Sequence, residues 1–135
     1  MPRFIGDMPH TWVGSDFLRS VRNFLIVEHN DRLVYAPALL PEWVKDPHGV
    51  GIEAMPTRFG RATYHVQRTA DGKTIRVQLK SVPNAPAGIA LELHAPLPNP
   101  LAPVEVDGKS AEWASSGVLR FADLRNLPAE VVFHY

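Results

Sequence analysis

The pattern of apolar residues changes once along this chain, near residue 30, and the change limits what the chain can fold into. Before that point apolar side chains recur at helical spacing. At about 100° per residue, Val13, Phe17, Leu18, Val21, Phe24 and Leu25 form one stripe about 140° wide, with Asp16, Arg19, Arg22 and Asn23 outside it. This spacing predicts one amphipathic helix from Trp12 to Val27, with Asp7 or Thr11 as its cap and His29-Asn30-Asp31 as its stop. Beyond residue 30 the period falls to two.

The alternation is clearest around Asp71-Gly72. Ala62, Tyr64 and Val66 alternate with Thr63, His65 and Gln67 before it, and Ile75, Val77 and Leu79 alternate with Arg76 and Gln78 after it. Asp-Gly between alternating strands marks a hairpin, because both turn residues tolerate positive φ. Further strands are expected at Arg32 to Ala36, Gly51 to Ala54, Ile89 to Leu93, Val104 to Val106 (closed by Asp107-Gly108), Val118 to Phe121 and Glu130 to Tyr135. No crossover helices separate them. The expected fold is therefore mainly β: an antiparallel β-sandwich of about eight strands, preceded by one amphipathic N-terminal α-helix. Residues 1–30 form the helical part and 31–135 the β-sandwich domain.

The chain's 135 residues are 45% apolar, which suits a single globular core. Thirteen prolines are about twice the usual share of ~5%. They belong in loops and at strand edges, as in Pro96-Leu97-Pro98-Asn99-Pro100, an expected extended connector. Fourteen basic residues balance fourteen acidic ones without blocks of either sign, so neither nucleic acid nor a membrane surface is an expected partner. No apolar run reaches the ~20 residues of a membrane span, and no signal-peptide core follows Met1-Pro2-Arg3, so a soluble chain is expected. The absence of cysteine excludes disulfides and thiolate chemistry.

Catalytic patterns are missing. The six histidines, His10, His29, His48, His65, His94 and His134, contain no metal-ligand spacing, so no metal and no cofactor is expected. There is no Gly-x-Ser-x-Gly elbow. His48-Gly49-Val50-Gly51 lacks the third glycine and following helix of a dinucleotide fingerprint, and reads as a loop. Glycoside cleavage needs two carboxylates facing one cleft, and the spacing of Asp7, Asp16, Glu42 and Asp46 pairs none of them. Trp12, Trp43 and Trp113 are the candidate sugar-stacking platforms. Against this stands a core role for each; Trp43 has the apolar neighbours Leu39, Leu40, Pro41 and Val44, whereas Trp113 has the polar neighbours Glu112, Ser115 and Ser116.

Three stretches together resemble a known family: Gly6-Asp7-Met8-Pro9-His10-Thr11-Trp12, Leu39-Leu40-Pro41-Glu42-Trp43, and Met55-Pro56-Thr57-Arg58-Phe59-Gly60. They are similar to the C-terminal end of bacterial six-hairpin (α/α-toroid) glycoside hydrolases of the α-L-rhamnosidase-like kind. In that group the last barrel helix is followed by a small β-sandwich. The resemblance implies a non-catalytic domain with a structural or carbohydrate-facing role, since the hydrolytic carboxylates of that family belong to the barrel. It implies that His10 corresponds to a histidine facing the sugar pocket, and that residues 1–30 are the remnant of a larger helical barrel. The candidate saccharide contacts are thus His10, Trp12, Trp43 and Trp113, with no catalytic residue. Two other readings remain open: an autonomous carbohydrate-binding module, and a small domain without ligand. The latter would self-associate as a homodimer through Val13, Phe17, Val21 and Phe24.

Overall fold

The structure is a computed structural model that describes residues 21–135, with Ala102 described by its backbone alone. The expected helix N-terminus, and with it His10, Trp12, Val13 and Phe17, lies outside the described residues. Ten strands are described: β1 (Ile26–Glu28), β2 (Arg32–Tyr35), β3 (Val50–Thr57), β4 (Gly60–Arg68), β5 (Thr74–Leu79), β6 (Ala90–His94), β7 (Leu101–Val106), β8 (Lys109–Ala111), β9 (Val118–Phe121) and β10 (Ala129–His134). They form a four-stranded sheet in the order β1-β2-β6-β9 and a six-stranded sheet in the order β3-β4-β5-β10-β7-β8.

The expected sandwich is the observed architecture. Alternate residues of β4 (Ala62, Tyr64, Val66), β5 (Ile75, Val77, Leu79) and β10 (Ala129, Val131, Phe133) are buried. They share one core with Leu33 and Tyr35 of β2, Leu91 and Leu93 of β6, and Leu119 of β9. The register follows from this alternation: Val131 lies opposite Val77, which lies opposite Val66. A one-residue slip in any of these strands would turn its whole apolar row toward water. Each Val, Leu, Ile or Phe side chain fully buried in this way contributes about 1.5–3 kcal/mol, and no residue classed as polar or charged is buried among those described.

Three local departures from the sequence expectation have physical causes. The helical conformation holds through residue 25, but Ile26 to Glu28 are strand rather than helix. Two β-branched residues stand there, and Ile26 pairs opposite Tyr35 in an antiparallel ladder. Second, Pro41–Lys45 forms a short helix, α1, with proline in its first turn, Glu42 near its start, Lys45 near its end, and Trp43 and Val44 buried. Third, β2 and β6 run parallel, with Leu33 opposite Leu91. The segment between them passes through α1 and three strands of the other sheet, a connection long enough to return in the same direction.

Close approach, not a phosphate loop, explains the glycines after His48. Gly51 lies in β3 opposite His65, and a Cβ there would collide with the carbonyl oxygen of Tyr64. Only glycine lets the two backbones pass at that distance.

Candidate groove beside the end of the helix

The helical turn 21–25 ends with orphan carbonyls, as any helix does. Here the loop after β2 supplies the donors. The Ala36 amide donates to the Leu25 carbonyl at 3.0 Å, and the Ala38 amide to the Phe24 carbonyl at 3.2 Å. The Tyr64 hydroxyl, from the core of the opposite sheet, also donates to the Leu25 carbonyl, at 2.6 Å. Phe24 sets its ring edge-on to Trp43, centroids 6.0 Å apart and planes at 67°. Arg22 reaches the Pro56 carbonyl at 3.2 Å and pairs with Glu28 at 3.4 Å. The helix end is thereby tied to both sheets.

The loop that caps the helix also forms one wall of an open groove of about 700 Å³. Ala36, Pro37, Ala38 and Leu39 stand on this side; the proline-rich connector 96–100 and the turn around Trp113, Ser115 and Ser116 complete the lining. Ala36 takes a left-handed φ of 57° while buried, a costly conformation for a residue with a Cβ, held by the Leu25 hydrogen bond. The connector is pinned at several points. The Ala95 amide donates to the Gly117 carbonyl at 2.8 Å, and the Tyr135 hydroxyl donates to the Leu97 carbonyl at 2.8 Å while accepting from the Leu97 amide at 3.1 Å. Burial pushes the Tyr135 hydroxyl pKa up, and its bond with Leu97 partly offsets this. The Trp113 indole is backed by Phe133, with ring centroids 5.8 Å apart and planes tilted by 32°.

The structure therefore separates the tryptophans named from sequence. Trp113 is half-buried and lines the groove; Trp43 is buried under Phe24, in the core beneath the helix end. His94, at the end of β6, and Asn99, in the connector, join Trp113 in the groove. No sequence signal singled out His94 or Asn99 as groove residues. The one available hint for Asn99 was its place between two prolines, because asparagine tolerates the left-handed φ of 59° found there.

Asp7 and Asp16 lie outside the described residues, and the remaining candidate groups within them serve local structure. The Asp46 carboxylate accepts from the His48 amide at 2.8 Å, which holds its pKa below the usual value. Glu42 is exposed on α1. His65 contacts Gln67 at 3.1 Å, and His134 pairs with Glu105. Among the described residues no group of three or more His, Cys, Asp or Glu side chains is arranged to hold a metal ion, and no helix is long and apolar enough to cross a membrane. Asp123 caps the 3-10 turn Leu124–Asn126: it accepts from the Arg125 amide at 2.9 Å and the Gly88 amide at 3.1 Å, and its pairing with the Arg125 guanidinium is the largest cause of a strongly lowered pKa.

No protein-family model and no curated protein matches the chain. Among solved structures, the chain is similar to Ara127N-Se, a GH127 β-L-arabinofuranosidase from Geobacillus stearothermophilus T6, at 15% sequence identity and a TM-score of 0.47. The match covers 87% of this chain and 17% of that protein.

Proposed function

We propose that the chain is a non-catalytic accessory β-sandwich of a glycoside hydrolase-like protein, with its groove turned toward saccharide. The observation that carries this reading is the loop Ala36 to Ala38. Its amides take the last carbonyls of the helical turn, and its side chains form a groove wall. A helical unit continuing toward the N-terminus would be held at a set angle to the groove, as a barrel helix would be in the family resembled by the sequence. The described residues that line the groove include no carboxylate, so the paired acids that glycoside cleavage uses are not among them.

The reading frame upstream of the Met1 codon tests the parentage. A continuous frame encoding a helical barrel is the expected result; an in-frame stop directly before an independent promoter overturns it. The non-catalytic role is tested with a panel of nitrophenyl glycosides. No turnover above buffer is expected, and turnover that disappears when one Asp or Glu is replaced defeats it.

One observation favours self-association as a second reading. Phe24 is 38% exposed and Leu40 37% exposed beside the helix end, leaving apolar surface that a second copy could cover. Light scattering on wild type and Phe24→Ser distinguishes it: a dimer lost in the variant supports it, and a monomer at all concentrations removes it.

A further inference from the structure

We infer that the groove selects uncharged saccharides and rejects uronates and sulfated sugars. This rests on the saccharide-facing reading above and narrows it to a chemical class.

The lining combines one indole with small polar groups. Trp113 is braced from behind by Phe133, which fixes the plane it offers to the CH face of a sugar ring. Asn99, Ser115, Ser116 and His94 supply donors and acceptors around it, the mixture that matches a ring of hydroxyls. Among the described residues, none of those lining the groove is Asp, Glu, Lys or Arg. A carboxylate or sulfate entering the groove would lose water and meet no Lys or Arg among the described lining residues, and at a pH where imidazole is neutral that loss is the basis of rejection.

The backbone argues against an extended peptide as occupant. Pro96, Pro98 and Pro100 line the groove and have no N–H to offer a strand, so peptide pairing along this wall fails at every second residue. The described lining residues include no Lys or Arg, which argues against nucleic acid, whose affinity comes mainly from phosphate contacts. Prolines, the doubly bonded Leu97 and the Ala95–Gly117 bond keep the connector in one conformation, so little ordering entropy is lost on binding.

The test is a calorimetric titration of the full chain at pH 8 with neutral trisaccharides of arabinose, galactose, glucose, mannose and xylose, and with trigalacturonate. At least one neutral sugar is expected to bind about tenfold or more tightly than the uronate. Two variants keep the fold. Asn99→Gly preserves the left-handed backbone while removing the amide and should weaken the neutral sugar. Ser116→Lys adds a cation at an exposed position and should bring trigalacturonate to within about threefold of the neutral sugar. Equal binding of neutral and uronate sugars by the wild type overturns the charge selectivity while leaving the saccharide-facing reading intact. Binding of no sugar, or binding indifferent to Asn99→Gly and Ser116→Lys alike, overturns both.

Discussion

Tyr135 and Leu97 hold one another twice: the phenol donates to the Leu97 carbonyl and accepts from the Leu97 amide, at 2.8 and 3.1 Å. A side chain following the last strand thus replaces the ladder partner that a proline-rich segment cannot find within itself. This reciprocal bond ties down the connector beside the groove, whose lining includes both Asn99 of the connector and Trp113.

Tyr135→Phe keeps the ring and deletes both bonds. The expected cost is about 1–2 kcal/mol, read from urea denaturation. Amide exchange at Leu97 should rise by more than at residues of β5. An unchanged exchange rate at Leu97 would show that the prolines alone hold the connector.

Gly51→Ala places a methyl group against the Tyr64 carbonyl, across the β3–β4 ladder. The neighbour is backbone and cannot swing aside, so a loss of about 1–3 kcal/mol is expected. The test is the denaturation midpoint; a variant as stable as wild type would mean that β3 shifts without penalty.

Alkali should unfold the protein through its tyrosines. Burial raises the pKa of Tyr35 and Tyr64, which stack with centroids 4.9 Å apart in the core, and of Tyr135. Their folded values exceed the unfolded value of about 10, so this contribution is complete below about pH 10 and falls as the pH rises above it. Tyrosinate absorbance and loss of far-ultraviolet ellipticity should change together. Ionisation that precedes unfolding would show that the core admits water at Tyr35 and Tyr64.

At the acid end the sign reverses. Asp123 is held well below the usual carboxylate value by the Arg125 guanidinium and by the Arg125 and Gly88 amides; Asp46 and Asp71 are lowered chiefly by the His48 amide and the Thr69 hydroxyl. Their contribution is complete above the unfolded value of about 4 and is lost as the pH falls toward the folded values. Asp123→Asn removes the largest of these shifts, so its thermal midpoint should lie below wild type at pH 6, with a gap that narrows steadily as the pH falls from about 4 toward 2. Parallel curves for the two proteins would show that the cap, not the charge, is what Asp123 contributes.

Much of the β architecture was legible in the amino-acid order. The alternation around Asp71-Gly72 marked β4 and β5, whose buried residues are those at every second position. The end of the helix was less legible, because Ile26 and Val27 continue an apolar run that suits either period, and pairing with β2 decided it. Helix α1 has five residues, too few for a helical period to show, and proline at its start reads equally well as loop.

Local sequence determined which residues face inward, because side-chain alternation and turn chemistry act over a few neighbours. It also determined that Asp71-Gly72 and the proline connector would be special points of the backbone. Only the tertiary structure decided that Trp113, Asn99 and His94 share a groove while Trp43 is buried beneath Phe24. Such groupings depend on how two sheets stack and where distant loops close, and contacts over long separations leave no periodic trace in a single chain.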